Sequence, residues 1–275
     1  SRNPKGDVKL DAQHITNTGT VIANRTLTAN AAQTLDNQGG TLSATQALTV
    51  SADRVDNQNK GRLLSDNALT VTSAQLNNSH NGAISSDGAQ TLNVSGLLDN
   101  SAGGSIDSTG AFELHGQTFD NSAGSLTAGG AITLDLLGDL INRNGKLASA
   151  GPLLIQRAGH IDNQGGKFAS QGLLTLFANS IDNQASGTLA ANDDLALTVD
   201  GLVQNGANGL IHSEKAGLNL KVGTLENDGG RLAAKAGDVL IDARQFNNGS
   251  GAVFAAQRVS LRGGNVDNAG QIAGQ

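Results

Sequence analysis

The stretch LDNQGGTLSATQALTVSADRVDN, residues 35–57, decides the fold of this chain. It opens and closes on the same phrase: an apolar residue, an aspartate and an asparagine. Between the two copies, apolar residues alternate with polar ones in short runs, as at Leu48 and Val50, and glycine or asparagine separates the runs. Alternation with a period of two indicates β-strands, and no run in the repeat carries the 3.6-residue period of a helix.

The phrase returns along the whole chain as an internal repeat of 20 to 22 residues. Its asparagine occupies thirteen positions: Asn17, Asn37, Asn57, Asn78, Asn100, Asn121, Asn142, Asn163, Asn183, Asn205, Asn227, Asn248 and Asn268. An apolar residue stands two positions before each of them. A glycine follows each asparagine by two to four residues, and a second apolar residue follows that glycine by two, as at Gly40 and Leu42. Three columns in one register establish a repeat architecture.

One repeat unit cannot bury its own apolar residues, whereas stacked units share a continuous interior. Leucine-rich repeats need a helical segment that is absent here, hexapeptide coils need multiples of six residues, and the calcium-binding nonapeptide motif does not recur. The sequence therefore predicts an all-β fold, a right-handed parallel β-helix of about 13 coils of about 21 residues. We expect a single domain over residues 1–275, an uncapped interior fragment of a longer fibre whose terminal coils fray or stack on other copies.

Composition narrows the class of function. The chain has 37 glycines, no Cys, Met, Trp or Tyr, and a net charge of −6. An acidic chain is a poor partner for nucleic acid, and the lack of cysteine excludes disulfides and zinc–thiolate sites. No stretch reaches the roughly 18 apolar residues of a membrane span. We therefore expect neither nucleic-acid binding nor membrane insertion.

The columns of residues 35–57 closely resemble the repeats of filamentous haemagglutinin-type exoproteins, which Gram-negative bacteria secrete by the two-partner route, and the resemblance covers essentially the whole chain. That family includes host-cell and biofilm adhesins and the stalks of contact-dependent growth-inhibition toxins. The resemblance implies a secreted or cell-surface structural rod that presents an adhesin or toxin module away from the cell. It implies two partners: an outer-membrane transporter during export, and a host or neighbouring bacterial cell surface.

The asparagine column is predicted to be structural. Stacked at one coil spacing, side-chain amides can donate to one neighbour and accept from the next, and asparagine tolerates the left-handed conformation of a turn. The glycine column marks positions where a Cβ is forbidden or φ is positive.

An acidic column lies between the apolar residue and the asparagine. It consists of Asp36, Asp56, Asp99, Asp120, Asp162, Asp182, Glu226 and Asp267. We expect these side chains to face out as a solvated ladder, in which neighbouring carboxylates repel by about 0.9 kcal/mol before screening. Calcium bridging is the alternative, but Asn77, Ile141 and Gln204 interrupt the column.

A basic strip follows the glycine column by one residue, at Arg62, Lys146, Lys167 and Arg231. Lys146 and Lys167 fall in adjacent coils, so they are the candidate face for a weakly held anionic ligand. The plain alternative is a solvated strand face that discourages lateral pairing.

An enzyme is the remaining functional class. A polysaccharide-degrading β-helix would need a groove walled by long loops, and the loops here vary by one or two residues. The five histidines never share a column in adjacent coils, and although His115 and Glu113 could share a face, no nucleophile motif accompanies them. We therefore predict no catalytic residue, no cofactor site and no metal site. The two main alternatives are a pure shaft and a shaft whose surface itself binds glycans or receptors.

Overall fold

The computed structural model describes residues 6–275, which divide into two compact units. Unit 1 runs to Ala131 and unit 2 runs from Ile132 to Gln275. All the regular secondary structure in the described residues is β-strand, and these residues hold no helix long and apolar enough to cross a membrane.

Unit 1 consists of six coils, and each coil contains one long and one short strand. Its strands are β1 (Val8–Thr16), β2 (Thr20–Ala23), β3 (Thr26–Asp36), β4 (Thr41–Ala44), β5 (Ala47–Asp56), β6 (Arg62–Ser65), β7 (Ala68–Asn77), β8 (Ala83–Ser86), β9 (Gln90–Asp99), β10 (Ser105–Ser108), β11 (Phe112–Asp120) and β12 (Ser125–Ala128). The long strands pair in parallel in the order β1-β3-β5-β7-β9-β11, and the short strands in the order β2-β4-β6-β8-β10-β12.

Unit 2 consists of seven coils, and in its first three the long strand is split in two. Its strands are β13 (Ile132–Leu136), β14 (Leu140–Ile141), β15 (Lys146–Ser149), β16 (Leu153–Arg157), β17 (His160–Asp162), β18 (Lys167–Ser170), β19 (Leu174–Ala178), β20 (Ser180–Asp182), β21 (Thr188–Ala191), β22 (Leu195–Gln204), β23 (Leu210–Ser213), β24 (Leu218–Glu226), β25 (Arg231–Ala234), β26 (Val239–Asn247), β27 (Ala252–Ala255), β28 (Val259–Asp267) and β29 (Gln271–Gly274). Its short strands pair in parallel in the order β15-β18-β21-β23-β25-β27-β29.

Both units are therefore stacks of parallel coils, and the predicted β-helix of thirteen turns is confirmed. Every strand pairs with the strand one repeat away, so Leu48 lies against Leu27 on one side and Leu69 on the other. The phrase at residues 35–44 is thus a corner between two strands of one coil. Crossovers between parallel strands are right-handed in about 98% of cases, and that is the hand the sequence predicts.

The core follows the alternation in the sequence. In β5, every second residue from Leu48 to Ala52 is buried, and Val55 is buried again after two exposed residues. Four of the six phenylalanines, Phe112, Phe119, Phe168 and Phe246, are fully buried. A bulge bends several long strands, for example where the register shifts between Asn30 and Thr34 in β3.

One polar residue occupies the apolar core of unit 1. Gln90 stands in the inward column between Leu69 and Phe112, is fully buried, and its Nε2 has no hydrogen-bond partner. Its Oε1 lies 3.5 Å from Ser86 Oγ. A buried amide with an unmatched donor destabilises a fold.

We therefore expect Gln90→Leu to raise the free energy of unfolding by about 1–2 kcal/mol, because a leucine of similar volume removes the orphaned donor. Chemical denaturation monitored by circular dichroism measures the change. Gln75→Leu, at an exposed position of β7, is the matched control and should leave stability nearly unchanged. Equal effects of the two substitutions would contradict this account of the buried amide.

Candidate functional site

The asparagine column forms a continuous side-chain ladder within each unit. In unit 1, Asn17 Nδ2 donates to Asn37 Oδ1 at 2.7 Å, and Asn37 Nδ2 donates to Asn57 Oδ1 at 2.7 Å. The same bond links Asn57 to Asn78, Asn78 to Asn100 and Asn100 to Asn121, each at 2.7 Å. In unit 2 it runs through Asn142, Asn163, Asn183, Asn205, Asn227, Asn248 and Asn268, at 2.7–2.8 Å.

Each amide also bonds to the backbone. Asn163 Nδ2 donates to the carbonyl of Thr188 in the next coil at 3.2 Å, in addition to Asn183 Oδ1 at 2.7 Å. Asn163 Oδ1 accepts from Asn142 Nδ2 at 2.7 Å. The Asn163 side chain is fully buried, and these bonds use both of its donors. The ladder therefore joins the long-strand face to the short-strand face at one corner of every coil.

The glycine column exists because a side chain has no room beside this ladder. A Cβ built on Gly40 would lie 2.1 Å from Asn17 O and 2.8 Å from Asn37 Oδ1. The left-handed residue of this turn is Gly39, one position earlier, with φ of 67°. The sequence allows two possible reasons for the glycine column, a forbidden Cβ or a positive φ. At Gly40 the reason is the forbidden Cβ, because the asparagines exclude it, and the positive φ belongs to the residue before it.

The length of the turn varies with the number of left-handed residues. The three-step turn after Asn37 has one, Gly39, whereas the four-step turn after Asn57 has two, Asn59 and Lys60. Both types return the chain to the same glycine position. This explains why the length variation lies between the asparagine and the glycine.

The prediction that the acidic column faces out as a solvated ladder is wrong at three positions. Asp56, Asp162 and Asp182 are buried, with 5%, 3% and 8% of their surface exposed. At two of them the carboxylate folds back over the turn: Asp162 Oδ1 accepts the Gln164 N–H at 3.2 Å, and Asp182 Oδ1 accepts the Gln184 N–H at 3.0 Å. Asp56 Oδ1 is buried without a hydrogen-bond partner. Gln164 Nε2 from the neighbouring coil donates to Asp182 Oδ2 at 2.7 Å.

The column is therefore an element of turn structure, and its carboxylates are held by amides and arginines. Asp56 Oδ2 accepts from Arg54 Nη2 at 3.2 Å, and Asp162 pairs with Arg143. Among residues 6–275, no group of three or more His, Asp or Glu side chains lies close enough together to hold a metal ion. The calcium alternative stays a hypothesis without a site in the described part of the chain.

The structure brings Lys146 and Lys167 together. They are direct partners at the first positions of β15 and β18, and both side chains are exposed. The same outward column continues through Thr188 and Leu210 to Arg231 on β25. Arg62 lies at the first position of β6 in unit 1 and is exposed.

Three residues near this strip were not singled out from the sequence. The Arg231 guanidinium lies 5.2 Å from the centre of the Phe254 ring, a cation–π distance. Lys235, four residues beyond Arg231, pairs with Glu214 at 2.6 Å. His212 stands in the neighbouring outward column, beside Ala233 on β25. Aligning the coils on their glycines would have revealed His212 and Phe254.

The surroundings of His212 on this face lower its pKa. Burial lowers the pKa of its imidazole, and the cations Lys235, Arg231 and Lys167 lower it further, while Glu214 opposes them. A histidine with a depressed pKa binds fewer protons in the folded chain than in the unfolded chain. Its contribution to stability is therefore present at neutral pH and lost as the pH falls below the ordinary histidine pKa of about 6.5.

Two other histidines lie close to a hydroxyl or a carboxylate. His160 Nδ1 lies 2.8 Å from Ser180 Oγ, but the nearby Asp139 carboxylate accepts the backbone N–H of His160, not its ring. His115 Nε2 is 4.0 Å from Glu113 Oε2 on an exposed strand face, where the sequence placed the pair.

Comparison with known proteins agrees with the repeat geometry. A family model described as the haemagglutinin repeat matches the chain five times, over residues 5–94, 85–165, 137–176, 148–245 and 236–275. No curated protein sequence matches the chain, and no solved structure matches it either. The resemblance inferred from residues 35–57 is confirmed. The chain belongs to the haemagglutinin-repeat family.

Proposed function

We propose that this chain is a structural spacer of a fibrous exoprotein on the surface of a Gram-negative bacterium. In this proposal it holds an adhesin or a contact-dependent growth-inhibition toxin module away from the cell. Export follows the two-partner route through an outer-membrane transporter, and the module meets a host cell or a neighbouring bacterium. The observation that carries the proposal is the unbroken asparagine ladder within each unit, with short turns at every coil.

Such a ladder favours a spacer because each of its asparagines bonds only within its own coil and to the adjacent coils, so coils add length without changing the geometry of the rest. Coils of parallel strands rise by about 4.8 Å each. The lack of cysteine suits a chain that crosses a membrane unfolded and then folds outside the cell. Haemagglutinin repeats are typical of extracellular adhesin-type proteins, which supports this placement.

Whole coils should be removable. Deleting residues 163–226 takes out three coils of unit 2 and joins Asp162 to Asn227, which restores the aspartate–asparagine phrase. We expect the variant to unfold cooperatively and to be shorter by about 14 Å in small-angle X-ray scattering. Deleting residues 163–236 removes half a coil more and is the control, since it puts the next asparagine out of register. A spacer made of interchangeable coils is excluded if both deletions behave alike.

A second candidate function is that the surface itself is adhesive. The paired and exposed Lys146 and Lys167, continued by Arg231 over Phe254, favour it, because an aromatic ring flanked by cations suits an acidic sugar. Saturable binding of a polyanion that is lost in the Lys146→Glu, Lys167→Glu double variant would establish this function. Polysaccharide cleavage, the enzymatic alternative, is favoured by no specific arrangement of the described residues.

A further inference from the structure

The surface that carries a further inference lies on the short-strand face of unit 2. We define the His212 strip as the side chains of Lys146, Lys167, His212, Arg231 and Lys235. Lys146 and Arg231 are separated by four coil steps, or about 19 Å. Between Lys167 and Arg231 the cation column holds Thr188 and Leu210. Apart from His212, the neighbouring outward column is filled by small side chains at Ala148, Ala169, Ala190 and Ala233. The strip is therefore a flat, narrow track that follows the stacking direction.

The charges on this track are predominantly positive. Among the described residues, Lys167 and Arg231 form no ion pair with a carboxylate, and Arg231 is steadied by the Phe254 ring. The acid that faces the strip is Glu214, which Lys235 holds at 2.6 Å. Hydrogen bonding to Lys235 keeps the pKa of Glu214 below its usual range, so this ion pair persists at mildly acidic pH.

His212 lies in the strip two coils from Lys167 and one coil from Arg231. Its side chain is only 19% exposed, and its Nδ1 is buried without a hydrogen-bond partner. That nitrogen lies 3.9 Å from Glu214 Oε2. The charged groups that face the ring are Lys167 on β18, Arg231 on β25, Lys235 after β25 and Glu214. An imidazole without a partner, poised near a carboxylate and among cations, is uncharged at neutral pH and gains both a charge and a partner when protonated.

We propose that the His212 strip is a pH-tuned binding surface for a linear anionic polysaccharide, and that protonation of His212 strengthens the binding. This inference rests on the second candidate function, the adhesive surface. Protonated His212 adds one positive charge to the track. Its Nδ1–H also gains Glu214 as a partner, whose Oε2 lies 3.9 Å away.

The occupant is argued from charge and shape. Cations spread over about 19 Å match a repeating polyanion better than a single small anion, because a small anion would reach only one or two of them. The alanine floor leaves room for an extended chain to lie flat. A shallow cavity of about 250 Å³ between Arg231, Lys235 and Phe254 can hold one sugar ring at the end of the track.

The test measures the affinity of the 275-residue chain for dextran sulfate and for polygalacturonate between pH 7.5 and pH 5.5, with neutral dextran as the blank. Sulfates and uronates keep their charge over this range, so a change in affinity reports on the protein. We expect binding of at least one polymer to tighten by about three- to tenfold on acidification. The two polymers show whether sulfate or carboxylate is preferred.

Three variants locate the effect. His212→Gln should lose the tightening on acidification, so its affinity should be the same at pH 7.5 and at pH 5.5. Lys167→Gln should weaken binding at both pH values. Lys221→Gln removes the same charge from an exposed position of β24, on the long-strand face of unit 2, and should change nothing. Each variant is checked for parental unfolding behaviour in urea.

A second readout does not depend on substitution. By linkage, the polymer that binds more tightly to the protonated form must raise the pKa of His212, by about 0.5 to 1 for a three- to tenfold effect. Nuclear magnetic resonance titration of the imidazole, with and without dextran sulfate, measures this pKa. The inference is overturned if the pH dependence of binding survives in His212→Gln, or if dextran sulfate does not change the pKa of His212. Either result would leave the adhesive surface as a candidate function. Three results would overturn both the pH-tuned strip and the adhesive surface. These are no polymer binding at any pH, equal losses of affinity in Lys167→Gln and Lys221→Gln, or binding to vesicles of phosphatidylglycerol without binding to either polymer.

Discussion

Replacing Asn163 by aspartate should be among the most destabilising single changes in unit 2, lowering the free energy of unfolding at pH 7 by about 3–5 kcal/mol. The side chain would lose both donors, so Asn183 Oδ1 would face a carboxylate oxygen where it now accepts a hydrogen bond at 2.7 Å. The charge would be buried in a fully enclosed ladder position. Asn163→Ala removes the same bonds without the charge and should lose about 2–4 kcal/mol.

The pH dependence separates the two variants. Burial raises the pKa of the new carboxyl above the ordinary aspartate value of about 3.9, so the folded chain holds the proton more tightly than the unfolded chain. The variant should therefore recover stability as the pH falls from 7 toward 4.5, because a protonated carboxyl can donate again. Urea denaturation at both pH values measures this. Asn219→Asp, at an exposed position of β24, is the control. A loss at pH 7 that does not shrink on acidification would show that the charge is not responsible.

The second large effect is expected from one methyl group. Gly40→Ala should lower the free energy of unfolding of unit 1 by about 3 kcal/mol, because its Cβ would stand 2.1 Å from the Asn17 carbonyl oxygen and 2.7 Å from Asn17 Nδ2. These are backbone and ladder atoms, which cannot move without breaking the bond between Asn17 and Asn37. Where φ is ordinary and space is free, glycine to alanine stabilises by about 0.4–1 kcal/mol.

The chain supplies its own control one coil away. Gly19 occupies the same column, and no described atom lies within 4 Å of a Cβ built there. Gly19→Ala should therefore be neutral or slightly stabilising in the same thermal and urea unfolding experiments. Similar losses of unfolding free energy in Gly19→Ala and Gly40→Ala would mean that backbone conformation, and not steric exclusion, is the reason for glycine at these positions.

The columns could be predicted from the sequence because every coil repeats one geometry. An asparagine that must bond to its copy 21 residues away leaves the same mark each time, and so does the glycine pressed against it, as at Asn37 and Gly40. The parallel pairing and the burial of the alternating residues follow from the same repetition. Features that recur in every coil can therefore be recognised from a single sequence.

What depends on local turn geometry was not predictable. A period-two pattern assigns Asp182 to the outside, yet the turn that follows lets its carboxylate cap a backbone N–H and become buried. The orphaned amide of Gln90 depends on how the neighbouring core packs. The position of His212 beside the basic column could be predicted from the sequence by aligning the coils. A comparison of the histidines only with one another does not reveal it.

The amide ladder also gives the stack a direction. Within each unit, every side-chain bond runs from the Nδ2 of one asparagine to the Oδ1 of the asparagine that follows it in the chain. The small dipoles of these amides therefore add, and polarised amides strengthen one another. When a coil is added at the carboxyl-terminal end of the stack, the Oδ1 of its asparagine accepts a hydrogen bond from the Nδ2 of the preceding asparagine. Folding can then proceed one coil at a time from the amino-terminal coil onward, with each folded coil acting as the template for the next.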